Sequence, residues 1–200
     1  MSARTGMTNV IAAVRQLAAC GTADYTVGGS TYWTDDQVQA ELDRVRTEVW
    51  DERLTVVPTV NSGGTTVYLD YRSDYSHLET TTGGTAVFYL RDTTGARLGT
   101  ADYTVDYASG RITFAADQAG SVRYLTGRSY DVYEAAARIW ETKAAHVADR
   151  FDFTADGATF KASQLTQQYM SMARQMRAQS TTGGLRVGRL VRPDIAADGW

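Results

Sequence analysis

The sequence predicts an α+β fold: a small helical bundle of four helices, an inserted antiparallel β-sandwich or barrel module, and an extended C-terminal tail. Three observations predict it. Apolar residues recur at helical spacing toward both ends of the chain, they alternate with period two in the middle, and residues 181–200 show neither period. The implied organisation is a helical bundle domain from 1–53 and 127–180, an inserted β-module at 54–126, and a docking tail at 181–200.

In MTNVIAAVRQLAACG, Val10, Val14 and Leu17 mark one helical face, and Gly21 is the expected C-cap. The next helix opens at TDDQ, where Thr34 and Gln37 have capping-box spacing and Asp35 and Asp36 suit the positive end of the helix dipole. Val38, Leu42, Val45 and Val49 continue that stripe, so the spacing predicts a helix through Trp50. Trp33, just before the cap, is placed to fold back on the first turn.

From residue 54 to 125 the period is two. LTVVPTV, TTVYLDY, TAVFYLRD, DYTVDY, GRITF and SVRYL read as strands, separated by SGG, TTGG, TTGAR, ASG and DQAG turns. Pro58 places the first of these at a sheet edge, because proline cannot donate to a central ladder. DYTVDYASGRITF is the clearest hairpin, with Gly110 supplying a positive φ.

Helical period resumes at Asp131, which with Glu134 forms an N-terminal capping pair. Val132, Ala136, Ile139, Trp140, Val147 and Phe151 mark the buried side, and Ala135, Ala136, Ala144, Ala145 and Ala148 keep that surface thin enough for another helix to approach. DFTADGATF reads as a turn with Asp156 and Gly157 at its tip. The fourth helix follows, with Leu165, Tyr169, Met172 and Met176 as its stripe. The heptapeptide GTADYTV occurs at 21–27 and again at 99–105, but its flanks differ and no fixed period links other segments. It reads as local reuse of one backbone element.

The chain has 200 residues, a net charge of -3, one cysteine and two histidines. A disulfide framework is excluded, a reducing compartment is the expectation, and Cys20 reads as a small core residue. No apolar run reaches membrane-spanning length, so a soluble, cytoplasmically made chain is expected, with no membrane partner. His77 and His146 lack a nucleophile context, and one cysteine with two isolated histidines leaves almost no transition-metal ligands. Asp70, Asp74, Asp102 and Asp106 read as strand and turn residues. Tyr68, Tyr71, Tyr75, Tyr89, Tyr103 and Tyr107 read as cross-strand packing, with a carbohydrate-binding face as the alternative. The expectation is no catalytic residue, no metal site, no cofactor and no enzyme activity.

The tail carries the most unusual pattern. Leu185, Val187, Leu190 and Val191 interleave with Arg186, Arg189 and Arg192, and no acid follows until Asp194. A segment ordering on an acidic, grooved partner uses both residue classes; plain disorder and nucleic-acid contact are the other readings.

YWTDDQVQAELD, followed much later by YDVYEAAARIWETKAAHVADRFDFTADGATFKASQLTQQYMSMARQMRAQ, resembles the head–tail adaptor, or connector, proteins of long-tailed bacteriophages. The resemblance rests on the helix opened by Trp33, Asp35 and Asp36, the Ala-rich helix with Trp140, the turn around Phe151, Asp152 and Phe153, and the Ser163–Gln164 start of the last helix. It covers about half the chain, and the β-module departs from the minimal family pattern. It implies a structural virion protein in the neck of a siphovirus-like particle, made in the host cytoplasm. The implied partners are the portal protein, a neck stopper or tail-completion protein, and further copies in a dodecameric ring. Residues 185–192 are then the portal-docking segment. Arg174 and Arg177 are candidate lumen-facing residues, with passing contact to double-stranded DNA. The alternatives are another neck or tail-end protein, such as a stopper or tail terminator, and a carbohydrate- or receptor-binding module.

Overall fold

A computed structural model describes residues 3–80, 87–148, 153–155, 158–160 and 162–180. After a short 3-10 turn at Thr5–Met7, the chain forms α1 (Thr8–Leu17), the hairpin β1 (Tyr25–Val27) and β2 (Ser30–Tyr32), and α2 (Asp35–Arg44). Seven strands follow: β3 (Arg46–Arg53), β4 (Thr55–Val60), β5 (Thr66–Arg72), β6 (Tyr89–Arg91), β7 (Tyr103–Asp106), β8 (Arg111–Phe114) and β9 (Tyr124–Tyr130). Then come α3 (Val132–Ala148), the hairpin β10 (Phe153–Ala155) and β11 (Ala158–Phe160), and α4 (Ala162–Gln179). All described strand pairs are antiparallel.

This architecture corrects the expected bundle of four helices with a single inserted sandwich or barrel. The helices gather around α3, which contacts α1, α2 and α4, and α4 packs chiefly on α3. The strands divide into a three-stranded sheet of order β3-β9-β6, a four-stranded sheet of order β4-β5-β8-β7, and two separate hairpins. Among the described residues neither larger sheet closes on itself into a barrel. Residues 46–53, of which 46–50 continue the apolar spacing of the second helix, form β3 instead. Val45, Thr47, Val49 and Trp50 are β-branched or aromatic, the classes that lose side-chain freedom in a helix and fit a pleated surface. Val49 satisfies a period-two pattern as well as the helical one, and pairing opposite Gly127 of β9 buries it. The ends of the helical and strand-rich segments are therefore stitched together by β3 and β9.

Two hydrophobic cores result. The first joins Val10 and Val14 of α1, Val38 and Leu42 of α2, Ile139 and Trp140 of α3, and Ala173 and Met176 of α4, together with Trp33 and Tyr130. The second joins Val49, Leu90, Tyr71, Ile112, Phe114 and Leu125 from the two larger sheets. Strand β9 serves both, with Leu125 in the second and Tyr130 in the first. Each fully buried aliphatic side chain stabilises by about 1.5–3 kcal/mol.

Local signals determine most element boundaries. The Gln37 side-chain oxygen accepts the Thr34 backbone N–H at 3.0 Å, completing the capping box of α2. Asp131 accepts from the N–H groups of Tyr133 and Glu134 at 3.1 and 2.9 Å, which caps α3. α1 ends before the expected Gly21. Ala19 takes the left-handed conformation at φ 44°, and the Cys20 N–H reaches the Arg15 carbonyl at 3.1 Å. Pro58 lies in edge strand β4 at a register shift, as its missing N–H requires. In the hairpin of β7 and β8, Gly110 has φ 73°, and a Cβ there would stand 2.1 Å from the Tyr75 carbonyl oxygen.

Both copies of GTADYTV form the same element. The glycine N–H donates to the aspartate three residues on, Gly21 to Asp24 at 3.2 Å and Gly99 to Asp102 at 3.1 Å, and a strand follows. One strand turns at Gly28 and Gly29 into β2, while the other pairs with β8. The likeness ends there.

Candidate functional site

The described residues hold three concentrations of converging polar side chains. One lies at the seam of the two cores. Arg4, just before the 3-10 turn, makes a bidentate pair with Asp43 of α2 at 3.0 and 2.7 Å, and its Nε donates to Glu79 at 3.0 Å. The other Glu79 oxygen accepts from the Tyr130 hydroxyl at 2.5 Å and faces Arg128 at 3.6 Å. The Arg4 backbone N–H goes to Gln39 at 2.6 Å, and Thr80 donates twice to the Gly6 carbonyl. Glu79 is only 2% exposed, so these donors replace water around its charge. Burial and the Glu79 carboxylate push the Tyr130 hydroxyl well above its ordinary range. Asp43 holds the Arg4 guanidinium firmly protonated. Every polar group here has its partner inside the molecule. The network can lock the N-terminal segment to β9, and it leaves no unmatched acid or base to act on a substrate.

The second concentration sits where α3 passes the end of α1. Lys143 is buried, and its ammonium donates to the carbonyls of Ala18 and Ala19 at 3.0 and 2.9 Å and pairs with Asp24 at 3.3 Å. The Trp140 indole donates to the Leu17 carbonyl at 3.1 Å. Together these side chains of α3 satisfy the last carbonyls of α1. Lys143 also walls a cavity of about 260 Å³ with Asp24, Tyr25, His146, Leu165 and Tyr169. There Tyr25 and His146 share a hydrogen bond at 2.7 Å, and the Tyr32 ring meets His146 edge-on at 4.3 Å. The Lys143 ammonium is thus shared among three acceptors of its own chain. The cavity therefore offers an aromatic wall and a satisfied cation.

The third is a clamp between α4 and α3. Arg177 reaches Glu141 at 2.6 Å and Glu134 at 3.1 Å. These carboxylates hold its guanidinium protonated, and Arg177 draws the Glu141 carboxyl below the usual range. Of the two candidate lumen-facing residues, Arg177 thus has its charge matched within the chain. Arg174 is exposed with no ion-pair partner among the described residues.

The remaining sequence candidates are dispersed. The docking segment, residues 185–192, lies outside the described residues, as do Phe151, Asp152, Asp156 and Gly157. Cys20 is buried, and that burial pushes its thiol pKa up. His77 stands at the rim of a 270 Å³ cavity between α1 and the turn joining β7 to β8, and burial lowers its pKa. The tyrosines do not make one open face: Tyr71 and Tyr103 are core residues, and Tyr75 and Tyr107 pack against that core. Asp70 bonds Arg111 and Thr113 across the strands. Asp106 accepts from Ser109 in its own turn. Among the described residues no three His, Cys, Asp or Glu side chains converge as metal ligands.

Arg4, Asp43, Glu79 and Lys143 escaped the sequence reading. Lys143 alone left a local signal, since it falls on the apolar stripe four residues from both Ile139 and Val147, where a cation must be bonded or exposed. Comparison of the chain with family models, with curated proteins and with solved structures returned no match.

Proposed function

We propose that this chain is a structural virion protein, a head–tail adaptor that assembles as a ring between the capsid portal and the tail or stopper of a long-tailed phage. One observation carries the reading. Two helical stretches separated by the strand-rich middle of the chain close on one another around α3, and the stretches that do so include those bearing the adaptor resemblance. The capped start of α2, the Ala-rich α3 with Trp140 and the stripe of α4 all take part in that core. The polar clusters described above support a scaffold, because their charges are used to hold elements together.

In such a ring each copy presents one face to a different face of its neighbour, a contact that closes by rotation. The segment containing Leu185, Arg186, Val187, Arg189, Leu190, Val191 and Arg192 then docks the portal, and Arg174 is the residue placed to meet passing DNA. The particle acts in neck assembly and genome passage, without enzymatic chemistry. Removal of the residues after Ser180 tests this reading. The shortened chain should keep its circular-dichroism spectrum and its melting temperature, and should lose attachment to portal-bearing capsids. Unchanged attachment would overturn the proposal.

A further inference from the structure

The outer face of the three-stranded sheet carries a charge pattern that neither the seam nor the helical core uses. Arg53 of β3 stands opposite Tyr124 of β9, and Tyr124 stands opposite Arg91 of β6. A bridge between Arg91 and Arg97 extends that row by one more arginine. In the neighbouring row Tyr89 faces Thr126, whose hydroxyl donates to Asp51 at 3.2 Å. The Arg97 guanidinium lies 3.9 Å from the Tyr89 ring centre and that of Arg91 lies 5.0 Å from it. Asp51, 3.5 Å from Arg91, is the one carboxylate paired with these arginines among the described residues. Arg53 and Arg97 are exposed, and their side chains have no hydrogen-bond or ion-pair partner there. Trp50, beside Asp51, is 72% exposed.

Next to Arg53 the surface sinks into an open groove of about 420 Å³. Leu54, Val56, Tyr71, Ser121 and Val122 line it with Arg53, and no carboxylate does. Strands lie about 4.8 Å apart, so the arginine row offers guanidinium forks at intervals that an extended chain can follow. Exposed tryptophan, tyrosine and arginine are also the residues most enriched where protein partners bind tightly.

We propose that this face binds an extended acidic peptide segment of a partner protein. Its carboxylates would sit on Arg53, Arg91 and Arg97, and an apolar side chain would enter the groove beside Arg53. Charge complementarity argues for an anionic occupant. The apolar groove beside Arg53, walled by Leu54, Val56 and Val122, argues for protein, which carries apolar side chains to fill it. The net charge of -3 gives no general attraction to a polyanion, so the attraction is confined to this face. The inference is independent of the ring reading and concerns a different surface.

Fluorescence anisotropy of a labelled peptide of alternating Glu and Val, added to the full chain at low salt, tests it. Saturable binding is expected, falling with salt and about tenfold weaker when Arg53→Ala and Arg97→Ala are combined, as expected for lost charge contacts at an interface. The matching peptide of alternating Gln and Val should not bind. Absence of saturable binding, equal binding of the two peptides, or an unchanged double variant would each overturn the proposal. Tighter binding of a labelled single-stranded oligonucleotide, lost in the double variant, would overturn it in favour of nucleic acid. A double variant that failed to fold would be replaced by Arg97→Gln, read against the same peptides.

Discussion

The helical layer pairs most of its cations within the chain, Arg174 excepted, whereas the three-stranded sheet leaves Arg53 and Arg97 unpaired among the described residues. In and against the helical layer, Arg4, Arg15, Lys143 and Arg177 all face inward partners. Arg4 pairs with Asp43 and Glu79, Arg15 pairs with Asp35 and donates to the carbonyls of Gly21 and Trp33, Lys143 caps α1, and Arg177 clamps α3. On the outer face of the sheet, Arg53 and Arg97 have only solvent and a tyrosine ring. Similar side chains thus hold the fold together in one region and stand ready for contact in the other. Burial accounts for the pairing of Lys143 and Arg15, whereas Arg177 is paired although exposed. A buried cation must find acceptors within the chain, whereas an exposed one gains little from a partner and can remain free.

Substitutions that sharpen this contrast should differ widely in cost. Glu79→Ala should have the largest effect, about 3 kcal/mol in chemical denaturation, because the buried Tyr130 hydroxyl loses its acceptor and Arg4 keeps only Asp43 of its two carboxylates. Lys143→Met should follow at about 1–3 kcal/mol, read as a lower melting temperature, since it keeps the volume but leaves the Ala18 and Ala19 carbonyls unpaired.

The effect of pH comes next. Burial depresses the folded pKa of His77, opposed by the Asp131 charge, while Ser76 touches its ring at 3.2 Å. The unfolded state therefore binds the proton first, and stability falls as pH drops below about 6.5, by less than about 1.4 kcal/mol per pH unit. His77→Gln should flatten that part of the pH profile. Arg177→Ala should cost less than about 1 kcal/mol, because its ion pairs are solvent-exposed. Arg53→Ala with Arg97→Ala should change stability by no more than about 0.5 kcal/mol. A large loss of stability in that last pair would erase the contrast.

The sequence and the structure agree where the signal is local. Capping residues placed the starts of α2 and α3, alternation with Gly110 located the hairpin of β7 and β8, and Pro58 put β4 at an edge. The shared Gly–Asp turn explains the repeated heptapeptide. Agreement fails where one residue pattern fits two periods. Val49 fits a helical stripe and an alternating strand alike, and only the presence of β9 as a pairing partner decides for the strand. The expected single β-module failed for the same reason, because the pairing that divides the strands into separate sheets is long-range. The seam was invisible for a related cause: Arg4 and Asp43 are 39 positions apart, and Glu79 and Tyr130 are 51 apart. Spacing within one helix or strand carries no information about such encounters.

Labelled imaging of intact virions bears most directly on the proposal that this chain is a neck scaffold. An antibody against the strand-rich region should decorate the junction of head and tail as a ring of copies. Label confined to the distal tail tip, or its absence from particles altogether, would contradict that placement.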